Sequence, residues 1–382
     1  MTPSADTEVA SARLAARLSG SSPARRAAAG AVAAVPRHWF VPERIRVDGR
    51  PLDRAASPEA WLEAAYSDEP LVTQVDDGRP GGPGRASSSI SKPSLVAEML
   101  ARLDVATGHR VLELGTGSGW NAALLCELAG EQAVTTVEVD PVLHEQAHAA
   151  LTAAGYAPTA VLGDGLDGYP PGAPYDRIMS TMAVRRVPGA WVGQLRPGGR
   201  LLTPWGTAYH NGVLAVLHRD PDGAARGRFG GNAAFMWARS QRTPHGSVED
   251  RVRDGDDAEE RTTELYPDEA VGDFDGSFAV GLFLSGVKEA TVWEDDVPGS
   301  DRFTVYLMDP GTGSWASWYA DAAARRHTVR QHGRRRLFDE LEAAHTWWVD
   351  AGRPAHDHFG LTVHPDGRQE LWLDAPDRVL PA

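Results

Sequence analysis

From residue 94 to residue 204 the apolar positions switch repeatedly between two rhythms. Arg110–Leu114, Ala133–Glu138, Ala160–Leu162, Tyr175–Thr181 and Arg200–Pro204 are short, nearly continuous apolar runs and read as buried strands. Between them, 94–103, 119–129, Pro141–Ala154 and 188–195 repeat every three or four residues and read as helices. Pro141 suits a first helical turn, and Pro197-Gly-Gly199 reads as a turn. Strands alternating with helices predict an α/β domain, a parallel sheet with helices on both faces. Val213–Leu217 and Ala234–Ala238 are expected to close it as an antiparallel edge, giving a mostly parallel sheet of seven strands.

The flanking segments read differently. Residues 7–34 are Ala-rich and helical in spacing, split into two helices at Gly20-Ser-Ser-Pro23. Residues 48–90 carry many Gly, Pro and Ser with little periodicity and read as a long covering loop. Residues 239–273 are rich in Asp, Glu and Arg, the pattern of a solvated linker or lid. Apolar alternation then returns in Phe278–Ser285, Val287–Trp293, Phe303–Met308 and Ser314–Tyr319; 333–350 reads as a helix, and Pro365-Asp-Gly367 turns a hairpin between Leu361–Val363 and Glu370–Leu373. The expected layout is 1–93 for the N-terminal helices and covering loop, 94–239 for the core, 240–275 for a charged linker, and 276–382 for a smaller α+β domain.

Composition narrows the class. The chain is 42% hydrophobic and 24% charged, ordinary for a globular protein. A net charge of −14 argues against free nucleic acid as a partner. No run approaches the roughly 20 apolar residues of a membrane span, and no basic-then-apolar leader opens the chain, so a cytoplasmic protein is expected. The single cysteine, Cys126, sits in an apolar helical pattern and reads as core. His356 and His358 flank Asp357 in a loop and read as structural, and no metal site is expected.

The chemistry centres on Gly115-Thr116-Gly117-Ser118-Gly119, set between a buried strand and a helix. Glycines there permit a sharp turn and close backbone approach to a ligand, beside the free N–H groups of a helix start. Taken alone the run fits nicotinamide and flavin cofactors as well as a methyl donor. Glu113 precedes it by two residues, and Glu138 with Val139 ends the next strand, where an acid accepts from ribose hydroxyls. Gly163-Asp164-Gly165 ends the third strand, suited to an adenine amine. That last feature selects S-adenosylmethionine, with S-adenosylhomocysteine as product.

Residues 36–238 resemble the protein-L-isoaspartate O-methyltransferases. The resemblance rests on Val35-Pro-Arg-His-Trp-Phe-Val-Pro42, Ala65-Tyr-Ser-Asp68, Ile90-Ser-Lys-Pro93, Val111–Trp120, Gly163–Gly165, Ala173–Ile178 and Arg196–Leu201. It implies a Rossmann-like class I methyltransferase fold and a peptide carboxylate as methyl acceptor. The serine of the family's Ile-Ser-x-Pro motif, which lies beside the transferred methyl, maps onto Ser91; the variable position is Lys92. The repair enzymes of the family are expected to stop near residue 239. The longer chain, with Ala208–Gly212, Phe235–Trp237 and Trp348–Pro354, looks like an actinobacterial branch associated with ribosomally made, modified peptides such as graspetides and lanthipeptides. In that branch an aspartate of a cyclised precursor is methyl-esterified and collapses to aspartimide or isoaspartate. The alternative is isoaspartyl repair.

A carboxylate with a reference pKa near 4 is ionised at neutral pH and needs no general base. Hydroxyls that orient it suffice, which nominates Ser91, Ser89 and Thr181 as catalytic and Ser88 as a substrate contact. Lys92, Trp348 and Arg353 are the further candidate substrate contacts, with a modified precursor peptide as partner. The protein is expected to be a monomer.

Overall fold

The computed structural model describes residues 5–244, 247–253 and 255–381. Parts of the expected N-terminal and linker ranges (1–4, 245–246 and 254) and residue 382 lie outside the described residues. Two compact units emerge. One takes in the chain up to Pro204 with Leu214–Gly227 and Leu361–Glu370; the other takes in Trp205–Val213, Arg228–Gly360 and the chain from Leu371. Among the described residues no helix is long and apolar enough to cross a membrane.

The first unit opens with α1 (Ala5–Leu18) and α2 (Pro23–Ala34), the latter capped by Ser22. Next come β1 (Arg44–Val47), β2 (Arg50–Asp53), α3 (Pro58–Ala65), β3 (Leu71–Val75) and β4 (Ala86–Ile90), whose strands form a sheet in the order β2-β1-β3-β4. The covering loop expected at 48–90 is therefore a sheet with a helix. Its strands are short, and most of their residues are half-buried or exposed, so their apolar alternation is weak. The hairpin joining β1 to β2 turns on Asp48 and Gly49, both with positive φ, and Asp-Gly is a strong two-residue hairpin signal.

The core follows with α4 (Pro93–Leu103), β5 (Val111–Leu114), α5 (Trp120–Ala129), β6 (Val134–Glu138), α6 (Pro141–Ala154), β7 (Thr159–Leu162), β8 (Tyr175–Ser180), α7 (Gly189–Gln194), β9 (Leu195–Gly206), β10 (Asn211–Arg219) and β11 (Ala225–Gly230). Asp140 caps α6, accepting from the N–H groups of Val142 and Leu143 at 2.9 and 3.1 Å. Every residue of β5, β6 and β8 is buried, which is why these strands read as solid apolar runs.

The second unit holds α8 (Val248–Arg251), β12 (Ala258–Thr263), α9 (Phe274–Phe283), β13 (Lys288–Trp293), β14 (Arg302–Met308), β15 (Trp315–Asp321), β16 (His327–His332) and α10 (Leu337–Asp350). Its antiparallel sheet runs β12-β16-β15-β14-β13. The core gathers Val305, Leu307, Trp318, Val329, Phe338 and Leu341 with Val280 and Leu284. The run 278–285, expected as a strand, lies mostly within α9, capped by Asp273 on the N–H of Gly276. A helix that is apolar nearly all round carries no periodicity to tell it from a buried strand. The charged linker contributes β12, so part of it is ordered sheet.

Two last strands, β17 (Phe359–Val363) and β18 (Gln369–Leu373), were expected in the smaller domain. They join the large sheet instead, which has nine strands rather than seven, in the order β18-β17-β11-β10-β9-β8-β5-β6-β7. The pairings among β5 to β9 are parallel, while β9–β10, β10–β11 and β17–β18 are hairpins, so the sheet is mixed. Residues 234–238 form no strand; β11 takes the place expected of them. Because Leu361–Glu370 belongs to the first unit, the chain beyond residue 239 is not a removable appendix.

One buried side chain ties the N-terminal segment to this core. Arg37 is 1% exposed, and its guanidinium donates to the carbonyls of Ala65, Ser67, Glu69, Ile90 and Ser91 at 3.0 to 3.4 Å. It lies over the Trp120 ring, 5.2 Å from its centroid. Burial pulls its pKa down to about 9, against the raising effect of Asp68, so it stays charged at neutral pH. Arg37→Ala strips these carbonyls of their donors and is expected to cost about 3 kcal/mol or more in urea unfolding. Arg44→Ala, which breaks only the exposed pair with Asp53, should leave the midpoint unchanged.

Candidate active site

The glycine loop is built by backbone geometry that β5 and α5 impose. Gly115, Gly117 and Gly119 have φ of 98°, 55° and 89°, the left-handed region that glycine adopts without strain. A Cβ on Gly115 would come within 2.7 Å of Thr181 Oγ1, and one on Gly119 within 3.2 Å of Leu151 Cγ. The Gly115 N–H donates to the Val137 carbonyl at 2.8 Å, joining the loop to β6.

At the end of β6, Glu138 is 6% exposed and accepts from the N–H groups of Gly117 and Asp140 at 2.9 and 3.0 Å. A carboxylate has about four lone-pair sites, so acceptor capacity remains for two ribose hydroxyls. Asp164, at the end of β7, is exposed and accepts at 2.9 Å from the Leu166 N–H, capping a short turn that starts at Gly165. The Gly163 N–H donates to the Glu138 carbonyl at 2.9 Å and holds the two strand ends together. Val139 after β6, Val142 in the first turn of α6 and Leu162 at the end of β7 expose 44%, 55% and 53% of their surface.

Glu113 does not reach the ligand side of the loop. It is wholly buried beneath it, accepting from Thr136 Oγ1 at 2.6 Å and Asn121 Nδ2 at 2.7 Å. Thr136 Oγ1 in turn meets Thr116 Oγ1 at 2.6 Å, so Glu113 is joined to the loop by a chain of hydroxyls. Desolvation raises its pKa to about 7, despite the two hydrogen bonds that favour the anion. Thr136 and Asn121 escaped the sequence reading, although a threonine pair inside an apolar strand is a usable signal.

On the other side of the loop, β4 runs past Gly117: Ser88 Oγ and the Ser89 carbonyl each lie 3.8 Å from where a Gly117 Cβ would sit. Ser88 is buried, Ser89 and Ser91 half-buried. Ser91 follows β4, and its carbonyl is held by Arg37 at 3.0 Å. Gln74 on β3, also missed, links β4 to the cap of α6: it accepts from Ser87 Oγ at 2.8 Å and donates to Asp140 Oδ2 at 3.0 Å.

Four expected site residues have partners within the protein. The Thr181 hydroxyl donates to the carbonyls of Leu114 and Gly115, so its one proton braces the loop rather than orienting a substrate. Lys92 pairs with Asp68 at 3.7 Å. In the second unit, Trp348 is 3% exposed and donates to the Pro354 carbonyl at 3.0 Å, a core side chain. Arg353 is half-exposed and pairs with Glu269 at 3.1 Å.

The model of the protein-L-isoaspartate(D-aspartate) O-methyltransferase family matches residues 50–242. A protein-L-isoaspartate O-methyltransferase of Ignicoccus hospitalis is 39% identical over 201 residues, 52% of this chain and 82% of its own. One of Anaeromyxobacter dehalogenans is 45% identical over 175 residues, 45% of this chain and 78% of its own. A solved structure of a protein-L-isoaspartate O-methyltransferase is similar in fold, with a TM-score of 0.53 and 21% identity, across 97% of this chain and all of that one. The similarity of fold to that structure takes in the chain beyond residue 239 as well, whereas the family model ends at residue 242.

The positive-φ glycines, the spare acceptor capacity of Glu138 and the exposed Asp164 fit S-adenosylmethionine, the family's cofactor. Gly115→Ala is expected to weaken S-adenosylhomocysteine binding by about tenfold or more in calorimetry, the equivalent of about 1.4 kcal/mol. Gly130→Ala, where φ is 98° but the space is open, should cost stability alone.

Proposed function

The chain belongs to the protein-L-isoaspartate(D-aspartate) O-methyltransferase family and is an S-adenosylmethionine-dependent carboxyl O-methyltransferase, and we propose that its acceptor is the free carboxylate of an L-isoaspartyl residue in a peptide or protein. The observation that carries this reading is the course of β4, whose serines border the loop at Gly117. The names of the relatives supply the isoaspartyl identity.

The cofactor supplies an electrophilic methyl group. The chain's part is positional: Glu138 and Asp164 hold the cofactor's polar edge, and the glycine loop admits it closely. The acceptor carboxylate is already ionised, so no residue has to remove a proton. Ser91, with Ser88 and Ser89, presents hydroxyls that donate to one carboxylate oxygen and aim the other, and rate gain comes from that alignment. The Arg37 clamp on the Ile90 and Ser91 carbonyls fixes where those hydroxyls stand.

A competition assay tests the substrate. An isoaspartyl hexapeptide and its aspartyl twin, together with a cyclised precursor peptide, are offered with labelled cofactor. Preferential methylation of the isoaspartyl peptide is expected. Exclusive methylation of an ordinary aspartate in the precursor would overturn the repair reading in favour of peptide maturation. Ser91→Ala is expected to lower kcat by about tenfold or more while S-adenosylhomocysteine affinity holds; equal losses of both would remove Ser91 from the catalytic set.

A further inference from the structure

Glu113 is a wholly buried acid beneath the glycine loop that the methyl transfer leaves unemployed. Three elements pack around its carboxyl group. From β6 come Thr136 and, as the only charged neighbour acting on it, Glu138. From α5 come Asn121 and Cys126, whose thiol burial pushes up to about 12 and so keeps neutral. From β8 comes Met179, its register partner. No lysine, arginine or histidine is among the groups that act on it. An anion here is desolvated, faces another carboxylate and has no counter-ion.

The pocket is nevertheless built for both protonation states. Thr136 and Asn121 Nδ2 donate to the ionised form. Asn121 Oδ1 is buried without a partner. Turning that amide over presents Oδ1 to the carboxyl group, where it can accept the O–H of the neutral form.

We propose that Glu113 discriminates the methyl donor from the spent cofactor by its charge, releasing a proton to solvent when the sulfonium of S-adenosylmethionine binds and recovering one when the neutral thioether takes its place. The inference rests on the cofactor site assigned above. The sulfonium of a bound donor would supply the counter-charge that the fold withholds, and beside a wholly buried carboxyl group salt screens such an attraction little. In the transfer the acceptor carboxylate oxygen would form the C–O bond to the methyl carbon as the C–S bonding pair goes to sulfur, which removes the sulfonium charge. The carboxylate is then unbalanced again and draws a proton from solvent, so the site's preference for a cation disappears along with the cation.

The sign follows from linkage. The unliganded group titrates near pH 7 and the donor-bound group lower. Donor affinity therefore rises with pH, by at most about tenfold per unit, and levels off above about pH 7. Affinity for S-adenosylhomocysteine is flat by comparison. The amino acid moiety of either ligand can titrate too, but a Glu113→Gln control carries that contribution unchanged.

The test is isothermal calorimetry of the full-length protein with each ligand, in two buffers of different ionisation heat at pH 7, for wild type and Glu113→Gln. In the wild type the donor should expel about half a proton more than S-adenosylhomocysteine, and the difference should vanish in the variant. Infrared difference spectra of the wild type give a second readout: the protonated-carboxyl band should disappear with the donor and persist with the product. Equal proton counts for the two ligands, or a difference that survives in Glu113→Gln, would overturn the inference while the cofactor assignment stands. Failure of both ligands to bind would overturn the two together.

Discussion

The arrangement of the active site depends on a cation with no anion in contact. Arg37 is buried against five carbonyl oxygens, drawn from 65–69 and from the end of β4. Carbonyl dipoles aimed at a guanidinium can replace its hydration only when the backbone that bears them is held in place, so the charge and the two segments order one another. Trp120, the first residue of α5, supplies the aromatic face beneath. One side chain thus links the N-terminal segment, the strand that carries the serines and the helix that opens from the glycine loop. A lysine could not do this, since its single ammonium cannot fan donors toward carbonyls on two segments.

The opposite charge problem is met on the other face of the loop. Glu138 is buried but takes a backbone N–H group on each of its two oxygens. Glu113, on the neighbouring strand β5, has only a hydroxyl and an amide. Two acids on adjacent parallel strands are thereby driven to different roles by what donates to them. Glu138 is a standing acceptor. Glu113 acts on the loop through Thr136 and Thr116 and senses what occupies it.

These roles were unevenly legible in the sequence. The glycine run, Glu138 and Gly163-Asp164-Gly165 could be read because each sits at a strand end, and buried parallel strands announce themselves as apolar runs. Pro141 marked the start of α6 for a covalent reason. What failed did so where periodicity carries no information. Strands β1 to β4 are short and mostly half-buried or exposed, so they do not alternate visibly, and the one turn signal among them is Asp48-Gly49. Helix α9 is apolar on nearly every side. The true depth of Glu113 could not be read at all, because spacing places a residue near a loop without saying whether it lies above or beneath it. Thr181 illustrates the same point, as a hydroxyl at the right strand end whose proton is already committed to two carbonyls.

The chemistry at Ser91 does not by itself choose between an isoaspartyl and an aspartyl acceptor. Both present an ionised carboxylate of similar basicity. They differ in which carbon the peptide chain continues from, and so in the path the chain must take away from the methyl. Hydroxyls that orient a carboxylate are indifferent to that path. The walls around them are not. The sheet β2-β1-β3-β4 borders the serines, and Gln74 anchors it to Asp140 at the cofactor end. The Lys92–Asp68 pair closes the other end. On the proposed reading, selectivity for the acceptor is expected to come from this small sheet, the segment whose sequence reads as a loop, rather than from the serine hydroxyls.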